Sequence, residues 1–331
     1  MQKFIVTPNE AGQRLGKLLF KYLNLAPKSF IYKMLRKKNI TLNHKKCDGS
    51  EKTAVGDEVS LWLADETIEK FREAKHFDRV PWHFKVIFED EDLLAVNKPA
   101  GLLSQKSKPE DISANEEAIS YLLENHVITE KSLEVFKPSV CHRLDRNTSG
   151  LVVAGKSLAG LQVMNEVFKD RSIHKYYQCL VAGEIKEKQL IAGFLKKDES
   201  TNTVSIFPLE VEDSVPIMTE YLPLSGNKTF TLLQVTLITG RSHQIRAHLA
   251  SIGHPIVGDY KYGSRSLNDA VKKKYAVRSQ LLHSWRLVMP ETLPAPLKHL
   301  RGEEFTARLP VIFNTVMEGE GIGLPCESRG I

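Results

Sequence analysis

The stretch HRLDRNTSGLVVAGKS, residues 142–157, places one carboxylate between two arginines directly before an apolar run. Leu151–Ala154 is expected to form a buried strand, so Asp145 lies on the turn that leads into it. The neighbouring charges of Arg143 and Arg146 favour the ionised form of this carboxylate. Two roles stay open from these residues alone: Asp145 can stabilise the turn through hydrogen bonds, or it can react with a substrate.

Regular elements on both sides of this stretch predict a mixed domain. Alternating or continuous apolar residues indicate strands, and apolar residues at helical spacing indicate helices. The strands are expected within Lys85–Pro99 and at His174–Ala182 and Phe230–Thr239, and the helices at Ser157–Phe168 and Ser242–Gly253. This mixture predicts an α+β domain around a large mixed, mainly antiparallel sheet.

Length and composition are those of a globular protein. The chain has 331 residues, enough for one large domain and a small one. Its N-terminus lacks a signal-peptide core, and no run of about 18 apolar residues predicts a membrane span. The cysteines form no CxxC pair, which is typical of a reducing cytosol; they are Cys47, Cys141, Cys179 and Cys326. We therefore expect a cytoplasmic protein with no membrane partner.

The N-terminal region carries a concentrated positive charge. Arg14–Lys46 spans 33 residues and contains ten Lys or Arg and no Asp or Glu. Apolar residues recur at helical spacing, which predicts two short helices with a basic outer face, followed by strands at Ile40–Asn43 and Asp57–Trp62. Such a face is suited to RNA because it neutralises phosphates and releases counterions. Its predicted members are Arg14, Lys17, Lys33, Arg36, Lys37 and Lys38.

These features divide the chain into four predicted segments. A compact basic module at 1–63 precedes a linker at 64–84, which is charged, weakly periodic and interrupted by a proline near its end. The large α+β domain is expected at 85–315, and a C-terminal tail at 316–331.

Several types of catalytic site have no signature in the sequence. His243 and His248 are five residues apart rather than four, and no HExxH helix is present. Neither Gly-x-Ser-x-Gly nor a glycine-rich nucleotide-binding motif occurs. We therefore expect no metal and no cofactor, and Asp145 remains the main candidate for chemistry.

Two further features favour a reactive Asp145. Arg246 lies on a different face of its predicted helix from the apolar residues, and therefore points away from the core. Tyr176 and Tyr177 offer aromatic rings in a nearby predicted strand. A carboxylate, arginines and an aromatic surface are what a protein needs to hold a flipped base and attack it.

Five segments, in the same order along the chain, resemble the RluA family of pseudouridine synthases. HRLDRNTSGLVVAGKS is similar to the family signature that contains its catalytic aspartate. The others are EDEDLLAVNKPAGLLS (89–104), HKYYQCLVAGE (174–184), TGRSHQIRAHLASIGHPIVGDYKYG (239–263) and LLHSWRLVMP (281–290). The resemblance implies the pseudouridine synthase fold and isomerisation of uridine in RNA to its carbon-linked isomer, with neither metal nor cofactor.

The N-terminal module resembles the alpha-L RNA-binding domain (S-four type), named for a small-subunit ribosomal protein. Family members with this domain tend to modify large-subunit ribosomal RNA. The resemblance therefore implies 23S rRNA as the partner, in preference to tRNA.

The family resemblance also implies roles for single residues. Asp145 would start cleavage of the glycosidic bond, as a nucleophile or as a base. Arg246 would pair with Asp145, Tyr177 would stack on the target uracil, and Arg143 would fill the gap left by the flipped nucleotide.

Three more residues, Arg241, His243 and Lys98, are expected to contact RNA phosphates or backbone. Two alternatives stay open: the same chemistry on tRNA, and a non-catalytic RNA-binding assembly factor. Nothing in the sequence requires a dimer, so we expect a monomer.

Overall fold

The N-terminal module is a small antiparallel sheet packed against helices. The computed structural model describes residues 1–73 and 77–323, and its first sheet has the strand order β1-β4-β2-β3. These strands are β1 (Gln2–Ile5), β2 (Ile40–Leu42), β3 (Lys45–Lys46) and β4 (Glu58–Leu61). The helices α1 (Leu15–Tyr22) and α2 (Lys28–Arg36) bury their apolar residues in the core of the module. The charged side chains of the same helices are consequently directed outward.

The segment predicted as a linker contains a helix of this module. Helix α3 (Asp65–Phe71) follows β4, and its Ile68 is buried in the same core. It has seven residues and one fully buried side chain, so its apolar periodicity is too short to predict a helix. The linker prediction is therefore wrong for 65–71; residues 74–76 lie outside the described part of the chain.

Side-chain contacts join the module to the large domain. Lys21 Nζ donates to the carbonyl oxygen of Val135 at 2.9 Å. Arg72 pairs with Glu134 at 2.7 Å and lies over the ring of Tyr22, 4.5 Å from its centroid. Glu134 and Val135 are consecutive residues, and a separate contact joins the Leu158 N–H to Asn9 Oδ1 at 3.1 Å.

The large domain is built around a sheet of eleven strands. Nine of them follow the order β11-β10-β12-β13-β9-β14-β8-β6-β5, while β15 pairs with β14 and β7 with β8. The strands are β5 (Lys85–Glu89), β6 (Leu93–Lys98), β7 (Ser139–Val140), β8 (Ser149–Gly155), β9 (His174–Ala182), β10 (Gln189–Asp198), β11 (Thr203–Phe207), β12 (Val215–Gly226), β13 (Phe230–Leu237), β14 (Leu282–Val288) and β15 (Glu304–Thr306). Among the described residues, β8 with β14 is the parallel pair and the other pairs are antiparallel. The predicted α+β class with a mixed, mainly antiparallel sheet is confirmed.

Helices cover the large sheet. They are α4 (Ala114–Glu124), α5 (Glu130–Leu133), α6 (Leu158–Lys169), α7 (Gln244–Ser251), α8 (Arg265–Tyr275) and α9 (Val311–Gly319), with a 3₁₀ turn at Leu297–Leu300. Ser157, predicted as the start of α6, is its N-cap and accepts from the Gly160 N–H. No helix in residues 1–73 or 77–323 is long and apolar enough to cross a membrane.

The C-terminal boundary lies further along the chain than predicted. Helix α9 continues past residue 315, and Val316 and Met317 are fully buried in a core cluster with Phe313. The tail predicted at 316–331 therefore begins too early. Residues 324–331, including Cys326, lie outside the described residues.

A glycine allows the close approach of the two parallel strands. Gly150 has a φ of +112°, and a Cβ atom built on it would lie 2.2 Å from the carbonyl oxygen of Ser284 in β14. This contact comes five residues after Asp145. It therefore fixes where the chain leaves the Asp145 turn and enters the core.

Candidate active site

A cleft of about 660 Å³ brings together most of the residues predicted for catalysis and for contact with the target nucleotide. It is lined by the turn before β8, by β9, and by the turn before α7 with the first part of that helix. Six of the predicted residues line it: Asp145, Tyr177, Arg246, Arg143, Arg241 and His243. Lys98 lies outside this lining.

Asp145 forms an ion pair with Arg246 at the centre of the cleft. Arg246 Nη1 donates to Asp145 Oδ2 at 2.8 Å, while the Asp145 side chain keeps 27% of its surface exposed. The expected proximity of the two residues is therefore present. The carboxylate is fixed on one side by a cation and remains open to a ligand on the other.

A second carboxylate, missed in the sequence, fixes the same arginine. Asp259 accepts from Arg246 Nε at 2.7 Å and from Nη2 at 3.0 Å, and is itself 1% exposed. Burial lowers the pKa of the Arg246 guanidinium, but Asp259 and then Asp145 raise it above its usual range. Arg246 therefore stays cationic. Asp259 lies in the quoted 239–263 segment, but its local sequence gives no sign that it pairs with an arginine 13 residues earlier.

The turn after β6 holds the Asp145 loop from both sides. Ser104 Oγ accepts from the Leu144 N–H and donates to the Leu144 carbonyl, both at 2.9 Å. The Gly101 N–H donates to the Arg146 carbonyl at 2.9 Å. Since residues 144 and 146 flank the carboxylate, these bonds determine its position.

Lys98 belongs to the same structural unit. Its side chain is 0% exposed, and Nζ donates to the carbonyl oxygens of Pro99, Leu102 and Arg146. Burial lowers the pKa of its ammonium to about 7, whereas the charges of Asp145 and Glu117 favour the charged form. An RNA phosphate has no access to this position. The structure therefore contradicts the expected phosphate contact of Lys98 and assigns the residue to the support of the loop.

The two neighbouring tyrosines do not form one aromatic surface. Tyr177 lines the cleft and is 7% exposed, and burial raises the pKa of its phenol above the usual range. Tyr176 points to the opposite side of the sheet, since side chains alternate along a strand. There it packs under Arg286, whose guanidinium carbon is 4.3 Å from the ring centroid. Tyr177 alone is therefore available to a base in the cleft.

His243 lies beside the Asp145 carboxylate instead of at an outer phosphate position. Its Nε2 is 4.0 Å from Asp145 Oδ2, and its Nδ1 is 2.8 Å from the Tyr262 hydroxyl. That hydroxyl accepts from the Val204 N–H, so its proton is free to be donated to Nδ1. Burial lowers the pKa of the imidazole, and Arg246 adds to this effect while Asp145 opposes it. The arrangement suits a neutral ring with its Nε2 proton facing Asp145.

The cleft is strongly cationic around an apolar floor. Eight Lys or Arg residues line it, and Asp145 is the one acidic residue among its described lining residues. Arg143 and Arg241 are exposed there, whereas Leu144 and Ile245 are buried. Apolar surface favours the face of a base, and the surrounding cations favour a polyanion. Within the described residues, no group of three or more His, Cys, Asp or Glu could hold a metal ion.

Comparisons with known proteins agree on one class of enzyme. A sequence profile of the RNA pseudouridylate synthase family matches residues 92–251. An uncharacterized RNA pseudouridine synthase of Mycoplasma genitalium is 31% identical over 296 residues, which cover 87% of this chain and 89% of that protein. The ribosomal large subunit pseudouridine synthase C of Vibrio vulnificus is 30% identical and covers 83% and 84% of the two chains. The structure of human RNA pseudouridylate synthase domain containing 4 superimposes with a TM-score of 0.59 at 20% identity, covering 73% of this chain and 94% of that one.

The chain therefore belongs to the RNA pseudouridine synthases, enzymes that isomerise uridine in RNA. Within that class it is of the RluA type, with relatives at about 30% identity that include large-subunit pseudouridine synthases C. The resemblance found in the sequence is confirmed at this level. The relation to the human structure supports the pseudouridine synthase fold.

Proposed function

We propose that this enzyme isomerises specific uridines of large-subunit ribosomal RNA, and that Asp145 starts the reaction. The observation that carries the proposal is the Asp145–Arg246 ion pair, in which the carboxylate remains open to the cationic cleft. A carboxylate that only stabilised a turn would not need a buried arginine held in place by Asp259. Pure RNA binding would not need this arrangement either.

The reaction replaces one bond of the uridine by another. The bond between N1 of uracil and C1′ of ribose breaks, the uracil turns, and a bond between C5 and C1′ forms. A proton leaves C5 and N1 gains one, so no outside reactant is required. Asp145 is placed to begin the cleavage, and the buried Tyr177 is placed to pack against the uracil while it turns.

Base flipping is part of the proposal because enzymes that do chemistry on a base take it out of the stack. Arg143 is exposed at the rim of the cleft next to the turn that carries Asp145. It is placed to occupy the gap in the RNA stack and to offset an unstacking cost of a few kcal/mol. Arg241, on the opposite turn, is placed to contact the backbone of the flipped nucleotide.

The N-terminal module is proposed to bind RNA as an alpha-L domain. All six residues of its predicted basic face are exposed, and none forms an ion pair with another described residue; they are Arg14, Lys17, Lys33, Arg36, Lys37 and Lys38. Relatives whose names specify the large ribosomal subunit support the same substrate class for this chain.

The test compares RNA from cells that lack the protein with RNA from cells that regain it. Pseudouridine is mapped by carbodiimide labelling and primer extension after rescue with wild type, Asp145→Asn or Asp269→Asn. Asp269 is an exposed carboxylate that bonds Tyr260 outside the cleft, and it serves as the matched control. We expect particular large-subunit uridines to lack pseudouridine in cells without the protein. Only the wild type and the Asp269→Asn control should restore it.

Two results would change the proposal. Loss of the mark from tRNA alone would keep the chemistry and replace the substrate. Full rescue by Asp145→Asn would remove Asp145 from the reaction.

A further inference from the structure

Lys175 is a buried lysine in the wall of the active-site cleft. It is 8% exposed and lines the same cleft as Asp145. It lies two residues before Tyr177 on β9, so both side chains are on one face of the sheet. The ammonium group therefore shares the compartment in which the uridine reacts.

This ammonium has no partner among the described residues, unlike those of the other buried lysines. Lys98 donates to three carbonyl oxygens, and Lys156 pairs with Glu89 at 2.6 Å. Lys175 forms neither a hydrogen bond nor an ion pair through its side chain with any residue in 1–73 or 77–323. A buried charge without a partner is costly, and a protein retains it where a ligand supplies the partner.

The surroundings of Lys175 are suited to an anion. Arg171 is close enough to lower the pKa of the Lys175 ammonium further, after burial, which is the larger cause. The adjacent His142 is neutral, because burial and then Lys175 lower the pKa of its ring to about 3. Lys197 and Arg241 line the same cleft. Arg171, Lys197 and Arg241 are cations and repel the ammonium group, and the neutral His142 ring does not pair with it. None of these neighbours therefore takes the place of an anionic partner.

We propose that Lys175 binds a backbone phosphate of the RNA strand that enters the cleft, with Arg171 beside it. The proposal rests on the proposed function, since it takes RNA as the substrate. A uracil offers neutral carbonyl oxygens, whereas a phosphate offers a full charge at each nucleotide, which matches a site formed by cations alone. The free enzyme holds the ammonium desolvated, so the site is organised before RNA arrives.

The test uses a large-subunit rRNA hairpin that the wild-type protein binds. A series of otherwise identical hairpins each carries one neutral methylphosphonate in place of one phosphate. Binding is measured for wild type, Lys175→Met and Lys186→Met, whose exposed lysine lies outside the cleft and pairs with Glu184. We expect one methylphosphonate position to weaken wild-type binding about tenfold, the size of one charge-assisted hydrogen bond.

Lys175→Met should bind the unmodified hairpin about tenfold more weakly than wild type does. It should lose no further affinity for the hairpin whose methylphosphonate weakens wild-type binding. Lys186→Met should keep the full penalty there. Lys175→Arg should restore part of the binding, and Lys175→Met should not lower the melting temperature, because it removes an unpaired buried charge. If Lys175 had a purely structural role, the substitution would lower the melting temperature.

Two results would overturn the proposal: Lys175→Met binding as tightly as Lys186→Met, or the methylphosphonate penalty persisting in Lys175→Met at every position. Failure of the proposed function looks different. In that case the wild-type protein converts no uridine in ribosomal RNA, whichever phosphate of the hairpin is replaced.

Discussion

Arg246 donates to two carboxylates at once, and only Asp145 faces the cleft. The two bonds to Asp259 fix the plane of the guanidinium group, which leaves Nη1 directed at Asp145. Asp259 thus acts through Arg246 and is a positioning residue. Its further bonds from the Lys261 and Tyr262 N–H groups anchor it to its own turn.

Asp259→Asn should reduce turnover while RNA binding is retained. The amide removes the charge and turns an N–H group toward the guanidinium, so Arg246 loses its fixed orientation. A displacement of about 1 Å at a reacting group costs roughly a hundredfold in rate. Single-turnover pseudouridine formation and RNA affinity are measured for this variant and for Asp269→Asn. Equal turnover in the two variants would show that Asp259 has no positioning role.

Gly150→Ala should destabilise the protein far more than the same change at another glycine with positive φ. The new methyl group would lie 2.2 Å from the backbone of Ser284, which cannot move without separating β8 from β14. We expect a loss of about 3 kcal/mol or more in the free energy of unfolding. Gly253→Ala, at φ +85° with open space around it, should cost only about 1 kcal/mol. Urea unfolding of both variants tests the difference, and equal costs would contradict it.

At the scale of elements, the turn after β6 and the Asp145 turn form one unit. Their hydrogen bonds connect residues about 40 positions apart, and Ser104 supplies two of them. The position of the Asp145 loop therefore depends on a segment that is distant in the sequence.

Ser104→Ala should loosen the Asp145 loop. It leaves the buried Leu144 N–H without its acceptor, at a cost of about 1–3 kcal/mol. Turnover should fall with stability, because the same bond positions Asp145. Ser205→Ala is the control, since Ser205 is exposed on β11 and forms no side-chain bond with another described residue. The prediction fails if unfolding midpoints and turnover of the two variants coincide.

Elements with a clear apolar pattern were predictable, and others were not. Strands β9 and β13 are rich in apolar and aromatic residues and were predicted within two residues of their ends. Strands β10, β11 and β12 were missed; they are the three strands at one end of the sheet order, and half of the residues of β10 are exposed. In β12 burial does alternate with a period of two, but the exposed Met218 and Leu222 and the buried Thr219 hide this period in the sequence.

The same distinction holds for the site. The charges beside Asp145 in the chain mark it as a candidate, but its expected role in the reaction came from the resemblance of the five segments. The roles of Asp259, Ser104 and Lys175 arise from contacts or missing contacts in three dimensions. Lys98 was misjudged for the same reason, since a lysine at the end of a strand gives no sign of being enclosed by three carbonyl groups.

The basic face of the N-terminal module should supply salt-dependent affinity without taking part in turnover. Replacing Lys33, Arg36 and Lys37 by Gln removes three exposed cations of α2 and the turn after it. We expect the slope of log affinity against log salt to decrease by roughly 2, at about 0.7–0.9 for each phosphate contact. Single-turnover rates at saturating RNA should remain unchanged. An unchanged salt slope would remove this face from RNA binding.

For the whole molecule, buried neutral histidines link folding to pH. His248 is 2% exposed and bonds Thr219, and His283 is 0% exposed and bonds Ser149 and the Ala307 carbonyl. Burial lowers the pKa of each ring from 6.5 to about 4. Between these values the unfolded chain binds more protons than the folded protein, so stability is present above pH 6.5 and is lost as pH falls toward 4.

The free energy of unfolding should therefore fall between pH 7 and pH 5, by about 2 kcal/mol for each of these histidines. Carboxylates have reference pKa values near 4, below this window, so the loss is expected chiefly from the imidazoles. Urea unfolding is measured at both pH values for wild type, His283→Gln and His174→Gln, whose ring is exposed on β9. His283→Gln should show a pH difference smaller by about 2 kcal/mol, whereas His174→Gln should match wild type. A pH difference in His283→Gln as large as that of wild type would mean that His283 takes up its proton equally in the folded and the unfolded state, so that folding does not lower its pKa.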